Sequence, residues 1–308
     1  CNAVPRFDPV RIRKAIKRCS VLISGGGSLL QDTTSTRSIL YYLMIIRMAE
    51  RMHKRVILYA NGIGPVSKPK NRRLVKKAVD RADAISLRDP DSLKELRAMG
   101  VTRDDILITA DPVFLLPEPE RDHIENILSA AGVPDGKFIA VSVRPWTGEE
   151  EFCRKIAAIC DEISTKYSMS VVMVSMQQQS DEPVGQAIAS MMKSKAYILQ
   201  GGLRPQEIMG VIGKSELVLS MRLHSLIFAA RMATPAAGLI YDPKVKAYLE
   251  LFSMPSAGNL SELDVDCAID VVSEILDNLD SITEGLRKRR DEVFEMASGN
   301  DELLRRFL

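Results

Sequence analysis

The chain has 308 residues, of which 46% are hydrophobic and 27% charged, with 42 Lys and Arg against 40 Asp and Glu. At roughly 150 residues per domain this suggests about two domains, large enough to need no disulfide or metal staple. The net charge of +2 argues against nucleic-acid binding by bulk charge, and the composition excludes collagen-like, disordered and coiled-coil classes.

The longest purely apolar run, Ile39 to Ile46, has eight residues, far short of the ~18 that a membrane span requires. Five cysteines without a C-x-x-C motif, two of them (Cys153 and Cys160) on one face of a helical pattern, read as packed thiols in a reducing, cytoplasmic setting.

Short apolar runs alternate with longer amphipathic ones along the chain. The first strand is predicted at Val21–Ser24. It runs into Gly25-Gly26-Gly27-Ser28, a turn that lets backbone N–H groups approach an anion and that reads equally as a tight strand-to-helix turn. A helix over Ile39–Met52 leads to a strand at Val56–Tyr59 and the turn Asn61-Gly62-Ile63-Gly64-Pro65. A helix over Asn71–Arg81 leads to a strand at Ala84–Leu87, which ends on Arg88-Asp89. That pair is either an arginine fork for a carboxylate or phosphate, or an ion pair with Asp89 capping a helix over Pro90–Met99. The strand Ile106–Thr109 ends on Asp111-Pro112, which reads as a hinge cap. Residues 116–136, rich in Pro, Gly and charge, read as a connection carrying one short helix, Arg121–Ala131.

A second set of strands follows at Phe138–Val143, Val171–Ser175, Ala196–Leu199, Leu217–Ser220 and Ala236–Ile240. Helices are predicted between them at Phe152–Tyr167, Val184–Ser194, Pro205–Gly213 and Leu226–Ala230. Arg144-Pro145-Trp146 follows the first of these strands, and the indole can stack on a sugar face or pack in the core. Ser220-Met221-Arg222-Leu223-His224-Ser225 places an arginine and a histidine at a helix N-terminus, where free N–H groups and the helix dipole favour an anion. Tyr241-Asp242-Pro243-Lys244 adds a possible third cation. Asp264–Leu308 is helical with alternating charge.

Strands alternating with helices imply parallel sheets, here an α/β chain of two Rossmann-like lobes facing a cleft. The N-terminal lobe is expected over residues 1–115, braced by the C-terminal helix 281–308, and the second lobe over 137–280. Arg88, Arg222, Lys244 and Arg144 are expected to converge with His224 on a small, highly charged anion, with the imidazole for proton transfer. No metal-ligand spacing, P-loop, dinucleotide fingerprint or nucleophile elbow occurs.

At these residues the sequence resembles the polysaccharide pyruvyltransferases, most closely the bacterial cell-surface-anchoring type. The matching pieces are Ile23-Ser24-Gly25-Gly26-Gly27-Ser28-Leu29-Leu30-Gln31-Asp32, Gly62-Ile63-Gly64-Pro65, Ile85-Ser86-Leu87-Arg88-Asp89, Asp111-Pro112, Val141-Ser142-Val143-Arg144-Pro145-Trp146, Met221-Arg222-Leu223-His224-Ser225 and Tyr241-Asp242-Pro243-Lys244. The resemblance implies a GT-B-type fold, phosphoenolpyruvate as co-substrate and a sugar diol as acceptor; no cofactor is expected, and no metal, since no ligand cluster is visible in the sequence. For the cell-wall branch the acceptor is a lipid-linked saccharide ending in β-N-acetylmannosamine, converted to its 4,6-pyruvyl ketal in the secondary cell-wall polysaccharide that anchors S-layer proteins. For such a reaction His224 is the expected general acid, with Arg88 beside it in catalysis. Donor binding falls to Arg222, Arg88, Lys244, Gly26, Gly27 and Ser28, and acceptor binding to Arg144 and Trp146. Family members usually begin with a strand and a Gly-Asn-x-Gly-Asp-Glu turn, so an N-terminal unit is expected to be missing.

Two other readings stand beside this one. A GT-B glycosyltransferase using a nucleotide sugar would need an acidic residue for the ribose, for which Glu207 and Asp242 are candidates. A non-catalytic glycan or lipid-pyrophosphate binding module would use basic clusters at Arg11-Ile12-Arg13-Lys14 with Lys17-Arg18, at Arg72-Arg73 with Lys76-Lys77, and at Arg287-Lys288-Arg289-Arg290. Solvated helix faces are the default for each cluster. Any of them can also hold the protein peripherally at the cytoplasmic face of an anionic membrane.

Overall fold

The computed structural model describes residues 3–33 and 35–307, so Cys1 lies outside the described residues. The chain forms two compact units, residues 1–115 with 292–308, and residues 116–291. The stretch 116–136, expected as a connection, falls inside the second unit.

The first unit contains α1 (Pro9–Arg18), β1 (Val21–Gly25), α2 (Thr36–Arg51), β2 (Arg55–Asn61), α3 (Pro69–Arg81), β3 (Ala84–Leu87), α4 (Pro90–Ala98) and β4 (Ile106–Ile108). Its sheet is wholly parallel in the order β1-β2-β3-β4. Residues Val56 and Leu58 of β2, with Ile85 and Leu87 of β3, pack with Ile39, Leu43 and Ile46 of α2 and Val75 and Val79 of α3. The spacing of these helical positions is that of one apolar stripe. On the other side, Ile57 and Ala84 pack with Leu303, near the C-terminus. Asn300 is fully buried beside them. It accepts from the Ser86 and Thr109 hydroxyls at 2.7 and 2.9 Å and donates to the Ala110 carbonyl at 3.1 Å.

The second unit contains α5 (Arg121–Ala130), β5 (Phe138–Ser142), α6 (Glu149–Tyr167), β6 (Ser170–Met173), α7 (Gln178–Met191), β7 (Ala196–Ile198), α8 (Pro205–Lys214), β8 (Leu217–Ser220), α9 (Leu223–Met232), β9 (Ala236–Ile240), α10 (Pro243–Phe252), β10 (Ser256–Asn259) and α11 (Val265–Asp277). The helix α12 (Leu279–Arg305) starts here and ends in the first unit. The sheet is parallel in the order β10-β9-β8-β5-β6-β7. Every residue of β5 and β8 is buried, as expected for central strands covered on both faces. Cys153 and Cys160 of α6 are buried in this core. Burial pushes the Cys160 thiol up to about 12, with Asp161 adding to it.

Three elements differ from sequence expectation. The helix α1 forms although only Ile12 and Ile16 reach the core; Asp8 caps it by accepting from the Arg11 N–H at 2.9 Å, with Pro9 at its first position. The strand β10, Ser-Ala-Gly-Asn, lacks β-branched residues and is held by its pairing with β9 at the sheet edge. The helix α7 starts before Pro183 rather than after it. The Asp181 carboxylate accepts the Met176 and Gln177 N–H groups and so fixes its first turn. No helix among the described residues is long and apolar enough to cross a membrane.

Candidate active site

In the second unit the strand order reverses between β5 and β8. The chain runs β5-β6-β7 outward on one side and β8-β9-β10 on the other. Open parallel sheets bind ligands beyond the carboxyl ends of the strands at such a switch point. Here Ser142 and Ser220, the last residues of β5 and β8, are register partners. The Ser225 hydroxyl donates to the Ser142 hydroxyl at 2.8 Å, and the Ser220 hydroxyl donates to the Ser142 carbonyl at 3.0 Å. All three serines are fully buried. The Ser220 hydroxyl also accepts from the Arg222 N–H at 2.9 Å, fixing the chain where α9 begins.

On this base stand Arg222, at the N-cap of α9, and His224 in its first turn, with its side chain exposed. The Arg222 guanidinium is engaged bidentately by the carboxylate of Asp181. Nε donates to Oδ2 at 3.0 Å, Nη2 donates to Oδ1, and Nη2 also reaches the Ser180 hydroxyl at 3.2 Å. Asp181 is 2% exposed. Sequence reading missed it, because a helix placed after Pro183 leaves Asp181 in a loop. The signal was an acidic residue six positions after the predicted strand Val171–Ser175, where helix-opening carboxylates sit.

Arg144, two residues beyond β5, lies over the ring of Tyr241 at 4.8 Å, and Trp146 meets the same ring edge-on at 5.7 Å. The Arg144 Nε is buried and has no hydrogen-bond partner among the described residues. Tyr241 follows β9 and was quoted in the sequence motif without a role. It joins Arg144 and Trp146 into one aromatic–cation stack. Trp146 also packs against the core. Lys244 is exposed in the first turn of α10, where its N–H donates to the capping Asp242 at 2.7 Å.

The remaining residues singled out by sequence belong to the first unit. Gly26 and Gly27 have φ of +70° and +61°, and a Cβ at either would meet open space. Glycine is needed there for backbone conformation, not for room. The Gly26 N–H, expected as an anion donor, is engaged by the Tyr59 carbonyl at 3.1 Å. Arg88 donates to Ser28 Oγ at 3.1 Å and to Asp111 Oδ2 at 3.0 Å. Asp111 also accepts from the Val113 N–H, so it both caps the turn and pairs with Arg88. Asp89 caps α4 through the Ser92 N–H. A Cβ at Gly62 would lie 2.8 Å from Ser28 Oγ and 2.9 Å from Arg88 Nε. Gly62 therefore leaves the space in which Arg88 meets Ser28.

Glu207 accepts from the Arg204 N–H at 2.6 Å, from its guanidinium at 2.7 Å, and bonds His123 Nε2 at 2.8 Å. The Arg204 side chain first, then its backbone N–H and His123, hold the Glu207 carboxyl down at about 2. Among the described residues no group of three or more His, Cys, Asp or Glu could hold a metal ion.

Residues 1–243 match the family described as polysaccharide pyruvyl transferase. The amylovoran biosynthesis protein AmsJ of Erwinia amylovora is 22% identical over 303 residues, covering 91% of this chain and 71% of the relative. Among solved structures, UDP-GlcNAc 2-epimerase from Methanocaldococcus jannaschii superposes with a TM-score of 0.64 at 14% identity, over 87% of this chain and 74% of that one. A glycosyltransferase from Rickettsia africae does so at 0.60 and 12%, over 100% and 84%. Anabaena HepE in complex with UDP does so at 0.60 and 11%, over 96% and 80%. These likenesses are of fold: two Rossmann-like lobes of the GT-B type.

Proposed function

This chain belongs to the polysaccharide pyruvyl transferases, and from that premise we propose that it moves the pyruvyl group of phosphoenolpyruvate onto a sugar diol. The observation that carries the reading is the grouping of Arg144, Arg222 and His224 after β5 and β8, the strands that flank the switch point. Phosphoenolpyruvate presents a carboxylate and a phosphate on three carbons, and arginine forks match both. On this reading Arg222 and Lys244 supply cations to these groups from the second unit, and Arg88 of the first unit is the further arginine assigned to the donor. Trp146, stacked with Tyr241 and Arg144, offers an apolar face to the acceptor sugar.

His224 donates a proton to the methylene carbon of the donor, turning it into a methyl group and leaving C2 electron-poor. One sugar hydroxyl adds to C2 and loses its proton. The C2–O bond to phosphate breaks, and the second hydroxyl closes the ring. The two hydroxyl protons restore His224 and leave with the phosphate, so the balance is one donor and one diol to one ketal and one hydrogen phosphate. Acid catalysis of this kind contributes about 10² to 10⁴ in rate. In the finer form of the reading the acceptor is the 4,6-diol of a terminal β-N-acetylmannosamine on a lipid-linked cell-wall precursor.

The nucleotide-sugar reading loses support from its two acidic candidates. Glu207 is engaged by Arg204 and His123, and Asp242 caps α10. The test is phosphate release from phosphoenolpyruvate with and without an N-acetylmannosamine-terminated acceptor, followed by the mass of the sugar. Acceptor-dependent release with a ketal mass gain, lost in His224→Ala, is expected. Turnover of a nucleotide sugar with none of phosphoenolpyruvate would overturn the proposal.

A further inference from the structure

The charge of the chain is balanced overall but not locally. The helices α1, α2 and α3 carry fourteen Lys and Arg against two acidic residues, Glu50 and Asp80, whereas the whole protein has a net charge of +2. These helices are neighbours, α1 packing on α2 and α2 on α3. The exposed large apolar side chains are uneven too. Of the eleven among the described residues, five (Val4, Phe7, Val10, Leu40 and Met44) fall on α2 or on α1 and the residues leading into it, and Phe7 is 85% exposed. Apolar exposure and positive charge therefore coincide on one face of the first unit.

A groove of about 550 Å³ opens on this face. Leu40, Leu43, Met44 and Leu74 line it, with Arg13, Arg47, Arg51 and Lys77 around them. None of these four cations forms an ion pair within the groove lining or with any other described residue, while Arg81 lies 3.6 Å from Glu50. Along α2 the positions Leu40, Met44, Arg47 and Arg51 follow the helical repeat, so they share one outward stripe, apolar in its first half and basic in its second. Such a stripe matches the section of a bilayer surface: apolar side chains enter the acyl boundary while long basic side chains reach the phosphates. Within the groove no aromatic ring is available for stacking a base; the rings of Phe7, Tyr41 and Tyr42 are covered instead by Arg6.

We propose that the α1–α2–α3 face is a peripheral docking surface for a bilayer rich in anionic phospholipid, with Leu40 and Met44 entering the interface and Arg47 and Arg51 on lipid phosphates. None of the residues assigned to pyruvyl transfer belongs to α1, α2 or α3, and the proposal stands whether or not that activity is found. The test is flotation with vesicles of phosphatidylcholine alone and of phosphatidylcholine with phosphatidylglycerol at roughly two to one. Binding is expected only to the anionic vesicles and is expected to weaken with salt. Arg47→Gln/Arg51→Gln should bind about 30-fold more weakly. Leu40→Ser/Met44→Ser, which keeps every charge, should lose about 10-fold or more.

Circular dichroism checks that the variants fold. Independently, the emission of Met44→Trp should shift to the blue on anionic vesicles. No binding of the wild type to anionic vesicles, equal binding to neutral ones, or no blue shift would overturn the proposal. So would displacement of the vesicles by a single-stranded oligonucleotide with the serine variant binding like wild type, which would mark a general polyanion site.

Discussion

Asp181→Asn tests the geometry that holds Arg222. In the wild type Oδ2 takes the Met176 and Gln177 N–H groups and Arg222 Nε, while Oδ1 takes the Ser180 hydroxyl and Arg222 Nη2. An asparagine with its oxygen in the Oδ2 position keeps the first three. Its NH₂ then faces Nη2, donor against donor, and the charge of the partner is gone. Losing one charge-assisted hydrogen bond costs about 1.5–3 kcal/mol, and unpairing a buried ion pair about 3–5 kcal/mol. The Arg222 side chain is 18% exposed, so water recovers part of this, which puts the cost near ~3 kcal/mol. For a unit of this size that is a fall in melting temperature of roughly 6–12 °C. Thermal and chemical denaturation of Asp181→Asn, Arg222→Gln and the double variant measure the coupling. The double variant should be markedly less destabilised than the sum of the two. Additivity within about 0.5 kcal/mol would refute the pairing. The same variants separate positioning from folding: a loosened Arg222 should raise the KM for phosphoenolpyruvate more than it lowers kcat. An unchanged KM with reduced stability would mean that Asp181 serves the fold alone.

The other predictions concern separate places in the fold. Asn300→Ala leaves the buried Ser86 and Thr109 hydroxyls and the Ala110 carbonyl without their shared partner and should cost about 2–4 kcal/mol in denaturant unfolding; a loss within error of zero would show that the last turns of α12 contribute nothing to the first unit. Gly62→Ala forces Ser28 and Arg88 apart at contacts of 2.8 and 2.9 Å, so it should impair phosphoenolpyruvate turnover while circular dichroism stays native. Glu207, held down at about 2 against an ordinary value of 4.5, contributes stability that is fully present above about pH 4.5 and lost as the pH falls through about 2. Glu207→Gln should therefore be the less stable protein at neutral pH, with the difference vanishing in acid. The Cys160 thiol, pushed up to about 12, should resist alkylation at pH 8 until the protein unfolds.

What the sequence disclosed follows from where each residue sits. Phe138–Ser142 and Leu217–Ser220 were legible because a central parallel strand is buried on both faces, and so its residues form an unbroken apolar run. Ser256–Asn259 was not, because an edge strand of small residues owes its conformation to pairing with β9. Arg88, Arg222 and His224 stood out because ligand-facing groups of such sheets come directly after strands. Asp181 was hidden for the opposite reason. It meets Arg222 across 41 positions of sequence, and the proline two residues on disguised the helix that carries it.

That hidden carboxylate changes the balance among the arginines. Residue type alone makes Arg144 and Arg222 equivalent forks, and the reading of the sequence assigns the donor to Arg222 and the acceptor to Arg144. Yet Arg222 has its charge countered by Asp181 and its Nε and Nη2 engaged. Arg144 has no carboxylate partner among the described residues, rests on the face of Tyr241, and keeps a buried Nε without a hydrogen bond. An uncompensated cation beside a half-buried aromatic stack attracts a polyanion more strongly than a compensated one. If the chain turns over phosphoenolpyruvate as proposed, Arg144→Gln is therefore expected to raise the donor KM as much as Arg222→Gln does; a raised acceptor KM with the donor KM unchanged would keep Arg144 on the acceptor side.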